Sequence, residues 1–325
     1  MKKIIRSQIA VAIILMFVAV QAYSQKFYIT LGAGYGLSPY SNRMGSQYTN
    51  TTTNNELDIY DGINTSHTNT YSSVVEDKNL KGTGSYGKGI RIGATFGYKI
   101  MENIAAELGI DYLIGANISR YKSNYITNTN TTFQDQTNSD NNTYTSLTHT
   151  SADEIKVKGS MLRFIPAIRI TAGDWKIKPF AKFGLVISVL NRMRKEDDQT
   201  DVNDAGVKQI TERTEMGKGN VSFGFMGALG ATYPLSKNFS LFGEFGLIAQ
   251  NYAPTKSKLT KFTINGVDQL PGMTTKATET KFVDHYSHQS PAPNTDDQPY
   301  ETTKDYFPFS SIGLNIGIIW TFGRN

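Results

Sequence analysis

The chain offers little to a nucleophile or a metal ion. It has 4 His and no Cys in 325 residues, which removes thiol chemistry, disulfides and thiolate metal sites. Acid–base work would fall to His67, His149, His285 and His288, each lying in a long polar stretch rather than on a periodic element. Asp284-His285-Tyr286-Ser287 sets a His and a Ser two residues apart. On a strand that spacing puts both on one face, where an imidazole can activate a hydroxyl. Pro291, Pro293 and Pro299 follow, and no strand is expected there. Asp201, Asn203, Gly206 and Glu212 fall on positions 1, 3, 6 and 12 of a calcium-loop pattern. Ala205 at position 5 supplies no oxygen, so an acidic solvated hairpin is the expectation. No catalytic, cofactor-binding or metal-ligating residue is assigned, and enzymatic activity is not expected.

A different set of charges carries more information. Arg91, Glu107, Asp111, Arg163, Arg169, Lys182 and Glu244 all lie within segments that alternate apolar and polar side chains, the period of a strand with one greasy face. Eight such segments are read: Phe27 to Gly36, Gly87 to Ile100, Ile104 to Ile114, Lys158 to Thr171, Ile177 to Leu190, Val221 to Tyr233, Phe239 to Gln250 and Phe309 to Phe322. The last sets Ile312, Leu314, Ile316, Ile318, Trp320 and Phe322 in one register, and Gly313, Asn315, Gly317, Ile319 and Thr321 in the other. Apart from Lys88 and Lys158 at the segment ends, no apolar register in the eight carries a charge. A slip of one residue would move Arg91 to the apolar face.

Connections alternate in length. Those at 101–103, 173–176 and 234–238 are tight, whereas 37–86, 115–157, 191–218 and 251–308 are long. Short turns at one end and long loops at the other are the habit of outer-membrane barrels. The fold class expected is all-β: an eight-stranded antiparallel transmembrane β-barrel with short periplasmic turns, four long extracellular loops and both termini periplasmic. Tyr98, Tyr233, Phe239, Trp320 and Phe322 gather near the turns, and Tyr35, Tyr112 and Phe223 near the loops, as two interfacial aromatic girdles. A soluble lipocalin-like barrel would also alternate at period two, but its apolar face lines the interior. Here the apolar faces are too bulky for an eight-stranded interior.

These residues resemble eight-stranded outer-membrane barrels of the OmpA/OmpX type, over residues 25 to 325. The resemblance implies a C-terminal aromatic signal read by the outer-membrane assembly machinery, which Trp320 and Phe322 match, with Gly323, Arg324 and Asn325 following as a departure. The His-x-Ser spacing is similar to that of eight-stranded lipid A deacylases, in which both residues sit on a lipid-facing strand.

Lys2, Lys3 and Arg6 precede an apolar run from Ile9 to Val20, with small residues Ala22 and Ser24 beyond. This reads as a secretory signal over 1–24, the run being shorter than the roughly 20 residues of a spanning helix. Removing those three charges lowers the formal +5 to about +2, so nucleic acid is not an expected partner.

Eight strands leave room only for side chains, so the seven inward charges must pair. Asp111 lies at the depth of Arg91 and Arg163 and is expected to bridge them. Pro166 and Pro179 cannot donate to a ladder, and a bulge is expected near Pro166. The loops are rich in Asn and Thr, as in 128–132 and 138–143, and are expected to form a mobile polar fringe. The function expected is a monomer in outer-membrane lipid, with an envelope-structural role and loops that meet extracellular ligands. A narrow-pore channel and a lipid A-modifying enzyme are the alternatives.

Overall fold

Alternation of large apolar residues with glycines and charges produces eight long strands that close on themselves. The computed structural model describes residues 26–39, 41–44, 48–60, 63–76, 80–135, 143–173, 175–285 and 296–322. The signal segment, Tyr286, Ser287, His288 and the 323–325 tail lie outside them. The strands are β1 (Phe27–Leu37), β2 (Gly89–Lys99), β3 (Ile104–Gly115), β4 (Thr143–Thr171), β5 (Lys178–Val202), β6 (Ser222–Pro234), β7 (Phe239–Tyr252) and β8 (Ser311–Thr321). Each pairs antiparallel with its sequence neighbours in this series, and β8 pairs with β1. Among the described residues no helix is long and apolar enough to cross a membrane.

The register fixes the geometry of the ring. Cross-strand partners can be followed from Ala105 through Arg169, Lys182, Ala228, Gly246, Gly313, Gly36 and Gly89. The circuit returns to β3 at Gly115, ten residues beyond its start (115 less 105). With a rise of about 3.3 Å per residue and about 4.8 Å between strands, that stagger would correspond, in a closed cylinder, to strands tilted about 41° from its axis. Glycines on the inner face let strands and rings approach. A Cβ on Gly97 would enter the ring of Tyr28, and one on Gly159 the ring of Phe309.

The expected bulge moves. Pro166 pairs with Leu108 in an unbroken β3–β4 ladder, and the β4–β5 register resumes unshifted at Phe164 and Ile187. A missing donor therefore removes hydrogen bonds without inserting a residue. The register shift falls instead between Val189 and Arg192, where Leu190 adopts φ 52° and β5 leaves the ring.

The loops also differ from the expected fringe. Beyond the ring, β4 and β5 continue as a paired ladder to Thr150 and Val202. On the β4 side this ladder templates Ile118–Asp135, then Ile63–Glu76, then Tyr48–Tyr60. On the β5 side it templates Lys208–Lys218, then Lys256–Ile264, then Glu279–Val283, with Tyr300–Thr303 added in parallel. Asn- and Thr-rich segments can do this without a core of their own, because anchored strands satisfy their backbone groups. His67 and His149 accordingly stand on strands rather than in loops.

Candidate functional site

The interior of the ring is built in layers. Nearest the short turns, Tyr28, Ala105, Phe180, Phe242 and Ile319 form a buried floor. Above it lies a four-charge network. The Tyr28 hydroxyl donates to Glu107 Oε1 at 2.6 Å, and Arg169 Nη1 stands 3.5 Å from the same oxygen. Lys182 Nζ sits between two carboxylates, 3.1 Å from Glu107 Oε2 and 3.0 Å from Glu244 Oε2. Asn315 donates to Glu244 Oε1 at 3.0 Å. Arg169 also donates to Thr232 Oγ1 and stacks 3.9 Å from the ring centre of Phe180.

One layer further up, Asp111 and Arg163 are direct cross-strand partners. Arg163 donates from Nε to Oδ1 at 2.7 Å and from Nη2 to Oδ2 at 3.1 Å, a bidentate fork. Arg163 is fully buried. The expected bridge to Arg91 is not made. Arg91 pairs opposite Leu113 rather than Asp111, and its Nη2 packs over Gly313 on β8.

The loop end is stoppered. Leu113 and Met161 face each other two residues beyond the Asp111 and Arg163 pair, and with Tyr86, Ile118, Val157, Met193, Tyr252 and Phe309 they form a buried apolar cluster. Tyr86 and Tyr252 flank Phe309, with ring centres 5.8 and 5.7 Å away. Tyr86 is pinned by its N–H to Pro308 O at 2.8 Å, and Phe309 by its N–H to Gln250 O at 2.8 Å. Gln250 donates to Ser188 and Ser222 at 2.8 and 2.9 Å beside this stopper. Between stopper and floor lies a cavity of about 90 Å³ lined in part by Arg91, Glu107, Asp111, Lys182, Glu244 and Asn315.

The outer face is the reverse of the interior. Phe223, Ile316 and Phe225 are 72%, 70% and 68% exposed, and Leu31, Ile92, Phe96, Leu108, Ile168, Phe183 and Leu229 are exposed with them. Near the turns, Phe239 stacks on Trp320 with ring centres 6.2 Å apart, Trp320 meets Phe322 at 4.4 Å, and Phe27 meets Tyr98 at 4.9 Å. Tyr233 carries Lys176 Nζ 5.3 Å from its ring centre. Tyr35, Tyr112 and Phe223 mark the opposite rim, all exposed.

The remaining candidates separate. Asp201, Asn203 and Gly206 lie at the end of the hairpin between β5 and Lys208–Lys218. There Gly206 takes φ 74°, and the Val207 N–H donates to Asn203 Oδ1 at 2.8 Å. Glu212 is turned away, its Oε2 accepting from Lys261 at 2.8 Å and Thr263 at 3.0 Å. Asp284 accepts from Lys304 at 2.8 Å on the surface. Sequence reasoning found the seven charges but missed Tyr28, Thr232 and the stopper. Tyr28 was visible as the one aromatic in the inner register of the first segment. Phe309 gave no signal, because its role depends on loop residues folding over it. No family model, no curated protein and no solved structure matches this chain.

Proposed function

We propose that the ring is a transmembrane β-barrel of the bacterial outer membrane, similar to the OmpA/OmpX type, monomeric and non-catalytic. Its short turns face the periplasm and its extended strands form a polar crown outside the cell. One observation carries this reading: uncharged large side chains are exposed all around the ring while Arg91, Glu107, Arg163, Arg169 and Lys182 are buried inside it. In water such a belt would drive aggregation, whereas in hydrocarbon it is the stable arrangement. Eleven residues of β8, tilted by about 41°, rise about 25 Å, the height of an outer-membrane apolar band. The crown, a broad sheet built in large part from Asn- and Thr-rich segments, then serves envelope structure and contact with extracellular surfaces. Folding tests the membrane reading: the urea-unfolded chain should regain β structure and heat-modifiable gel migration only with detergent or lipid vesicles. Recovery of the same fold in plain buffer would overturn it.

A narrow-pore channel is the second reading, favoured by the polar cavity in mid-ring. Against it stand the apolar stopper and the paired charges that fill the described interior. Planar bilayers with purified protein should show no steady conductance, and a stable open level from the wild-type chain would reverse the order of the two readings.

A further inference from the structure

We propose that the interior of the ring holds a binding site for a small inorganic anion of chloride size, gripped by the Nε and Nη2 edge of Arg91. The inference concerns the closed interior and stands whatever surrounds the outside.

The mid-ring layers contain four cations, Arg91, Arg163, Arg169 and Lys182, against three carboxylates, Glu107, Asp111 and Glu244. Contacts allot these charges unevenly. Arg169 and Lys182 are matched by Glu107 and Glu244, and Arg163 takes both oxygens of Asp111. Arg91 is left over. It is only 5% exposed, and neither its Nε nor its Nη2 has a hydrogen-bond partner. This is the same side-on edge with which Arg163 holds its carboxylate, a fork shaped for an anion.

The arrangement cannot relax by losing a proton, because a guanidinium stays charged in proteins. Water can accept its N–H groups but cannot cancel its charge, and a buried charge with no counter-ion in contact, the carboxylates of Asp111 and Glu244 being held by other cations, is costly. The side chain is also held in place. Glycine at 313 leaves space for Nη2, since a Cβ there would stand 2.7 Å from it. Beside it the cavity of about 90 Å³ has room for a halide and one or two waters, a liquid water taking about 30 Å³. Asp111 and Glu244 also line this cavity, but each is already neutralised by its own cation. The site would take a compact monovalent anion and exclude an organic carboxylate such as gluconate by size.

The probe is bromide. Protein refolded and crystallised in sodium bromide should show an anomalous peak in mid-ring, within hydrogen-bonding distance of the Arg91 guanidinium. A map with bromide only on the outer surface would overturn the proposal. In solution, the urea midpoint of wild-type protein refolded into vesicles should be higher in chloride than in gluconate at equal ionic strength. At chloride ten times its dissociation constant, the folding constant rises about elevenfold. Arg91→Met, which keeps the volume and removes the charge, should abolish the chloride–gluconate difference. An undiminished difference in that variant would also refute the site. If the variant does not fold, the wild-type bromide map alone decides.

Discussion

Ile316 lies at the centre of β8, five residues from Ser311 and five from Thr321, and its side chain is 70% exposed. At about 2.5 Å of axial rise per residue, it stands about 12 Å from either edge of the belt. Replacing it with arginine gives opposite outcomes in the two possible surroundings. In water, an exposed substitution away from special features changes stability by no more than about 0.5 kcal/mol. In hydrocarbon at mid-depth, the charge costs about 2 to 4 kcal/mol, a loss of about 30- to 900-fold in the folding constant. Reversible urea titration into vesicles, followed by tryptophan fluorescence, measures this directly. Val207, 63% exposed at the hairpin tip, is the control, and Val207→Arg should fall within about 0.5 kcal/mol of wild type. An Ile316→Arg variant as stable as that control would refute the claim that the belt meets hydrocarbon.

The interior supplies further predictions. Glu107→Ala strands Arg169, leaves Lys182 with Glu244 alone and removes the acceptor of the Tyr28 hydroxyl; it should destabilise by about 3 to 5 kcal/mol in the same titration. Gly97→Ala drives a methyl into the Tyr28 ring, whereas Gly243 has open space where a Cβ would point. The first should cost about 1 to 3 kcal/mol and the second markedly less, read from the two midpoints. In the crown, burial and the neighbouring Asp197 carboxylate push Asp153 up to about 6. A raised folded pKa means the crown binds an extra proton between about 4 and 6, so its stability rises as pH falls through that window. Carbon-detected NMR should find the Asp153 carboxyl titrating near 6, and Asp153→Asn should remove this contribution to the pH dependence.

What could be read in advance divides along physical lines. The ring strands announce themselves because each must present two chemically opposite faces, and a charge such as Arg91 or Arg163 permits only one register. The span of β4 and β5 was hidden. Thr150 to Val157 carries no sustained alternation, and it pairs with β5 as a continuation of the ladder anchored below it. The bulge at Leu190 and Asn191 likewise reflects the demand that β5 bend out of the ring, whereas Pro166 is absorbed by two omitted ladder contacts. Among the charges, composition and depth gave the inward set and the Asp111–Arg163 pair. Arg91 did not join them, and its Nη2 instead occupies the space left by Gly313, a residue on a strand distant in sequence.

The long run of β4 and β5 from the turn at one end, past the register shift between Val189 and Arg192, to the crown at the other gives the molecule a mechanical axis. A pull on the outer tips is transmitted along two backbones whose hydrogen bonds lie across the direction of force. Many must break together before either strand slides. Arg163 and Arg169 ride on one of these strands and Lys182 on the other, so the same ion pairs that fill the interior act as cross-pins against that sliding.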